Sequence, residues 1–407
     1  MTLSAAQPLK VYLDSSDYST LSNPACQTPE LKSIRKDLLD WRNSGEVEFW
    51  FSGVAIVEMA PLNIAEIQRA EARADLLVAL CGRNALVSPD KLVREELRRA
   101  VQDGGEPVVA HAANGDWFGD VGELITPLKE PVSLQVLRDV CKSPGLNRTR
   151  RRATNRRLVK NGQPTKAARH LLGQLQDTFD YSEILQMYPM KEEDLQVVGA
   201  YMLGTASIEE AEEALRRSLR DPRWMTRWYA QHQEALTPII EWLRRPSRNL
   251  EASMKAAATH YSSVTAIKSV AGAGPDGAIP RDYWLCKQQE LLVSTALMLL
   301  GKMEVLPEGL VLEAETIDAR CPGFAVCVRA MHDSIRDSVG RNARELKASD
   351  FADCVHALYV PYVDIFRADS YMSGHIAPLA AKHGTAVVQK LRNLPAEIAH
   401  RLSSPRN

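Results

Sequence analysis

The first hundred residues alternate between short apolar runs and stretches whose apolar positions recur at helical spacing. Lys10-Val-Tyr-Leu-Asp14 is a short apolar strand that ends in an acid. A helix from about Pro29 to Arg42 follows, with Leu31, Ile34, Leu38 and Leu39 on one stripe. Val47 to Phe51, rich in aromatic and β-branched residues, predicts a second strand. Val54 to Met59 begins another helix, Ile64 to Leu80 is a long helical stretch, and Ala85-Leu-Val87 predicts a third strand. Ser88-Pro89-Asp90 then caps a helix running to about Val101. Such alternation predicts an α/β fold with a doubly wound, mainly parallel sheet.

From Gln102 to about Arg344 the periodicity is mostly helical, broken by glycine-rich loops at 104–107 and 271–275 and showing no internal repeat. After Ser349 the α/β pattern returns. Asp350 to Tyr359 reads as a helix, Val363 to Phe366 as a strand, Tyr371 to His383 as a helix and Ala386 to Leu391 as a final strand. The economical expectation is one α/β domain, formed by 8–104 and 345–400, interrupted by a largely α-helical insertion at 105–344. The two α/β parts together have an ordinary domain size of ~150 residues.

Composition narrows the classes. With 407 residues, 45% of them hydrophobic and 25% charged, the chain is long enough for a large core and is not of disordered type. A net charge of -1 gives no global pull on a polyanion, so any such site must come from local clustering. The start, Met1 to Leu9, lacks the basic residues and apolar core of a secretory signal. The longest apolar run, Leu291 to Leu300, is about half of what spans a bilayer and predicts a buried helix. The seven cysteines are scattered, odd in number and without zinc-knuckle spacing. Together these features lead us to expect a cytoplasmic protein with reduced thiols and no membrane contact.

Four carboxylates stand where a strand meets a helix, or on a helix beside such a junction. Asp14 closes the first strand and Asp369 follows the strand at 363–366. Asp353 lies early in its helix, with Asp350 one turn before it on the same face, and Glu58 sits on the helix after the second strand. A lone Asp at a strand end is most often a helix cap. Four acids at one topological position point instead to a ligand site, because open parallel sheets bind ligands at the carboxyl ends of their strands.

On these residues the chain resembles the PIN-domain nucleases, which include the toxin ribonucleases of toxin–antitoxin pairs. Val11-Tyr-Leu-Asp-Ser-Ser16 is similar to the family's opening strand, with Asp followed by Ser or Thr. Ser52-Gly-Val-Ala-Ile-Val-Glu58 resembles its Ser and Glu separated by five residues. Asp353-Cys-Val-His-Ala-Leu358 is similar to the third acidic motif, and Asp369 falls where the fourth acid is expected. The resemblance covers both ends of the chain and none of the middle. One departure is Arg367, which stands where the family often has Ser or Thr two residues before the last Asp.

The resemblance implies a doubly wound sheet of PIN type and a metal-dependent nuclease, with RNA a commoner substrate than DNA. Clustered carboxylates ionise together only with a cation among them, and hard oxygen ligands favour Mg²⁺ or Mn²⁺. Asp14, Glu58, Asp353 and Asp369 are the candidate catalytic residues and metal ligands. Asp350 is an auxiliary ligand or supports the others, and Ser15 and Ser16 orient Asp14 or a metal-bound water. The alternative is a non-catalytic PIN-like module that binds nucleic acid or a protein partner. An Asp-dependent phosphatase is set aside, because Asp14 is followed by Ser15 and Ser16 and not by an Asp-x-Asp pair.

For nucleic acid, the segment from Asn147 to His170 carries Arg148, Arg150, Arg151, Arg152, Arg156, Arg157, Lys160, Lys166 and Arg169 with no acid. It is the candidate phosphate-binding stretch; the plainer alternative is a solvated basic helix. Arg220, Arg223 and Arg227 interleave with Trp224, Trp228 and Tyr229, where helix packing is the favoured role over base stacking. His356, three residues after Asp353, reads as a buried structural histidine with the option of approaching the acids. The expected insertion is a candidate for substrate selection, partner binding or self-association.

Overall fold

The computed structural model describes residues 7–61, 64–102, 108–125, 137, 147–160, 163–175, 188–202, 204–232, 252, 255–256, 258–260, 263, 281–339 and 344–404. Both glycine-rich loops singled out above fall outside them. The chain divides into two compact units, one of 1–60, 68–119 and 244–407, the other of 61–67 and 120–243.

The first unit is α/β. β1 (Leu9–Tyr12) leads into α1 (Ser15–Ser22) and α2 (Pro29–Ser44), and β2 (Val47–Trp50) into α3 (Gly53–Glu58) and α4 (Ile67–Cys81). β3 (Ala85–Leu86), α5 (Pro89–Val101) and β4 (His111–Ala112) follow. The second unit then contributes α6 (Gly122–Ile125), α7 (Arg148–Leu158), the short pair β5 (Val159–Lys160) and β6 (Gln163–Pro164), and α8 (Lys166–Leu175). Its remaining described helices are α9 (Glu192–Met202), α10 (Ile208–Leu219) and α11 (Pro222–Gln231). The chain returns to the first unit with α12 (Arg281–Lys302), α13 (Ala314–Arg320), α14 (Pro322–Asp337) and α15 (Ala348–His356). It closes with β7 (Ile365–Arg367), α16 (Ser370–Ala380), β8 (Ala386–Val388) and α17 (Leu394–Ser403).

The main sheet is parallel, in the order β2-β1-β7-β8, so strands from both ends of the chain sit side by side. Tyr12 pairs with Trp50 on one side and Phe366 on the other, and these three share a core with the helices behind them. Local signals set the entry to β2. Thr28 caps α2 ahead of Pro29, and Gly45 ends the helix at φ 77, a left-handed turn that glycine adopts without a Cβ penalty. The expected third strand joins differently: β3 bridges Phe51 in parallel at one residue but pairs antiparallel with β4.

The expected insertion is smaller than its sequence pattern. Residues 120–243 form the separate unit, whereas α12, α13 and α14 belong to the α/β unit. Leu292, Leu300, Ile317, Phe324 and Met331 lie in the same core as Tyr12 and Phe366. The physical reason is visible in α14, which is buried on nearly every side and touches α5, α12, α13, α15 and α16. A helix buried over most of its surface by five neighbouring helices is a core element, whatever stretch of sequence it interrupts, and its buried Arg329 is paired with Asp318 and Gln288. The apolar run at 291–300 lies in α12, and among the described residues no helix is long and apolar enough to cross a membrane.

Entry to α14 is tightly built. The Glu96 carboxylate accepts the N–H groups of Gly323 (2.8 Å) and Phe324 (2.7 Å), satisfying two donors at that helix start. A Cβ on Gly323 would collide with the Leu358 carbonyl and come within 2.9 Å of Glu96 Oε1. Gly323→Ala is therefore expected to destabilise the protein by roughly 3 kcal/mol, as overpacking plus a damaged cap. A lowered urea midpoint at unchanged m-value checks this.

Candidate active site

The carboxyl ends of β1, β2 and β7 point to one edge of the sheet, and each leads straight into a helix. Asp14 caps α1: its Oδ1 accepts the Ser16 N–H at 2.7 Å, and its own N–H donates to Asp17 Oδ2 at 3.1 Å. Asp369 caps α16 in the same way, accepting the Met372 N–H at 2.7 Å. Ser52 caps α3, whose last residue is Glu58. Asp353 comes from α15, on the helix between α14 and β7.

These four acids feel one another. Burial, together with the charges of Glu58, Asp14 and Asp369, lifts the Asp353 carboxyl to about 8, against a lowering pull from His356. Residues 339 positions apart in sequence (353 minus 14) thus form one electrostatic group. Tyr12, Asp14, Asp353, His356 and the end of β7 line a small recess of about 10 Å³, roughly the room of one water molecule.

His356 is buried, as its sequence context suggested, but it is buried inside the acid group. Its Nε2 lies 2.9 Å from Glu58 Oε2, and its Nδ1 lies 2.5 Å from the Tyr12 hydroxyl. Tyr12 in turn is 2.6 Å from Ser52 Oγ. Burial alone would pull the imidazole down; the adjoining Glu58 carboxylate, with Asp14 and Asp353 beyond it, holds it above its ordinary value. Burial would raise Glu58, but the His356 charge and hydrogen bond, with the Ser15 hydroxyl, leave it below the usual range. The directions agree on an ionised Glu58–His356 pair. An imidazolium there donates from Nε2 to Glu58 and from Nδ1 to Tyr12, whose hydroxyl then donates to Ser52.

The signal for His356 was in the sequence: three residues after Asp353 on a helix is the same face. Ser52 stood in the motif that ends in Glu58, but its bond to Tyr12 was not legible, and Tyr12 read only as a strand residue. Ser15 bonds Glu58, and Ser16 reaches Asp14 through its backbone N–H.

Asp350 is committed elsewhere, which corrects its expected part as an auxiliary ligand. Both its oxygens take the Arg344 guanidinium, at 2.6 and 2.8 Å, and Oδ2 also accepts the Lys347 N–H at 2.8 Å. It is fully buried and fixes the start of α15. Arg367, the departure from the family pattern, is a buried staple. Its Nε and Nη2 bond both oxygens of Asp17 at 2.9 and 2.6 Å, and Nη1 donates to the carbonyls of Ala368 and Val388. Through Asp17 it ties the Asp14 turn to the β7 end that carries Asp369.

The donor set fits a hard divalent cation in kind. Its free groups are carboxylate oxygens, and one of them, Asp353, is pushed up by burial first and by the neighbouring acids second, more than His356 pulls it down. The acids are not a finished shell: among the described residues, no group of three His, Cys, Asp or Glu is placed to hold one ion.

In the second unit, Arg148, Arg150, Arg151, Arg152, Arg156 and Arg157 are exposed on α7 and Lys160 is exposed on β5. Trp228 and Tyr229 are buried, and Trp224 Nε1 donates to the Pro189 carbonyl, so that aromatic stretch serves packing. No family model matches the chain, and neither a curated protein nor a solved structure matches it.

Proposed function

We propose that this chain is a metal-dependent nuclease of PIN type that hydrolyses phosphodiester bonds, in RNA more readily than in DNA. The observation that supports it is the placing of Asp14, Glu58, Asp353 and Asp369 at the carboxyl edge of a parallel sheet, where burial first, and the charges of the other three acids second, carry Asp353 to about 8. Asp14, Asp353 and Asp369 would hold Mg²⁺ or Mn²⁺, with Glu58 beside them. The bound cation supplies a water activated at neutral pH and stabilises the leaving oxygen.

The chain's own residues do the positioning. Helix caps fix Asp14 and Asp369, each leaving its second oxygen outside the cap bond. His356 holds a proton at Nε2 against Glu58 and thereby orients that carboxylate. Without a cation the edge repels a phosphodiester, so substrate entry and metal loading go together. The arginines of α7 and Lys160 would supply sequence-independent phosphate contacts. RNA preference and a cytoplasmic setting rest on the resemblance and on composition.

A second reading, a PIN-like module that binds nucleic acid without cutting, is favoured by one observation: His356 already gives Glu58 a positive partner. Incubation of labelled single-stranded RNA and DNA with Mg²⁺, Mn²⁺ or EDTA separates the two, with Asp14→Asn/Asp353→Asn alongside. Nuclease function predicts cleavage with metal that vanishes in EDTA and in the double variant. Intact substrate in every tube, with binding retained, would leave the binding module.

A further inference from the structure

We propose that α7 is a groove-binding element for structured RNA, seated between the two phosphate backbones of a stem widened by a bulge or internal loop. This rests on the RNA reading above for its substrate, and not on cleavage.

Of the eleven residues of α7 only Leu158 is buried, and the six arginines are all exposed. They do not share a face. At roughly 100° per residue, Arg148, Arg152 and Arg156 form one stripe, while Arg150 and Arg157 lie on the opposite side. The helix carries no acid, and among the described residues no carboxylate pairs with Arg148, Arg150, Arg152, Arg156 or Arg157. Arg148–Arg152 and Arg152–Arg156 are like charges one turn apart, which repel.

A short helix that buries one side chain and repels itself gains little from packing. What offsets its self-repulsion is a polyanion, and the angular spread says which shape. A strand lying on a flat surface touches one stripe and leaves the other in water. A groove walled by two phosphate backbones meets both stripes at once. The regular major groove of A-form RNA is too narrow for a helix about 10 Å across, so the stem must be locally opened. Guanidinium forks suit phosphate oxygens on both walls.

The test uses the full chain carrying Asp14→Asn/Asp353→Asn, without divalent metal, so that cleavage plays no part. Binding is measured by fluorescence anisotropy from 50 to 200 mM salt. The probes are a bulged RNA hairpin, a fully paired RNA hairpin, a single-stranded RNA of the same composition and a DNA duplex. The bulged hairpin is expected to bind at least tenfold more tightly than the others. Removing either stripe, Arg148→Gln/Arg152→Gln/Arg156→Gln or Arg150→Gln/Arg157→Gln, is expected to weaken it about tenfold and flatten the salt dependence by roughly two ions. Arg→Lys versions of the same stripes, which keep the charge, should keep most of the salt slope and so exclude simple loss of the helix. Equal binding of single strand and bulged stem, one silent stripe, or equal displacement by polyglutamate would overturn the proposal. The nuclease reading fails separately, on absent cleavage by the wild type.

Discussion

Asp353→Asn is expected to abolish cleavage and yet to stabilise the metal-free protein at alkaline pH. Its activity should fall roughly 10³-fold, the scale on which removal of one preorganised electrostatic group acts. The stability effect follows from the raised carboxyl. Burial and the charges of Glu58, Asp14 and Asp369 carry Asp353 to about 8, well above an ordinary aspartate. A carboxyl raised in the folded state binds its proton more tightly there than in the unfolded chain. Its contribution is therefore present in full below the ordinary range and is lost as pH rises through about 8. The neutral amide has no such loss, so the variant should gain on the wild type by a few kcal/mol between pH 5 and pH 8.5 in EDTA. Asp17, near 6, and Glu96, near 7, impose slopes of the same sign and remain in both proteins, so the difference reads residue 353 together with the His356 imidazole that it helps to hold up. Thermal unfolding at the two pH values checks it. A constant difference in Tm would contradict the shared field of the four acids.

The second large effect is structural. Arg367→Ala removes one partner of an ion pair in which both side chains are almost fully buried, 6% and 2% exposed. It strands Asp17 and two carbonyls, at a cost of about 3–5 kcal/mol. At this chain length that is a fall in Tm of about 5 °C. Burial raises Asp17 and Arg367 pulls it back; with the guanidinium gone, burial and the Asp14 charge are opposed only by the Asp14 N–H bond, so Asp17 rises further. The loss should then be smallest in acid, where Asp17 is protonated in either protein, and grow as pH climbs past about 6. Urea midpoints at pH 5 and pH 8 read this directly. A loss independent of pH would mean that packing, not the ion pair, carries the effect.

Much of the α/β unit was legible because its elements announce themselves locally. β1, α2, β2 and α5 follow from apolar period, Pro29 at one helix start and Pro89 at another. The four acids were legible for a related reason: strand-to-helix junctions are marked by caps, and Asp14 and Asp369 are caps. Long-range choices were not. Nothing near Ala85 states that β3 turns antiparallel to β4, and α17, with only Leu394 and Ile398 buried, gave too little periodic signal to stand out. Helices α12 to α14 look like any helical stretch until their partners are known. Partners were also hidden for single residues. Arg367 needs Asp17, Asp350 needs Arg344, and His356 needs Glu58; each pair joins side chains whose types allow many other bonds.

The claim on which the rest depends is that acids from both ends of the chain form one cation site. Calorimetric titration of Mn²⁺ into the wild type and into Asp14→Asn/Asp353→Asn at pH 7.5 tests it most directly. Saturable binding by the wild type, lost in the double variant, is the predicted result. Absent binding, or equal binding by the two proteins, would contradict it.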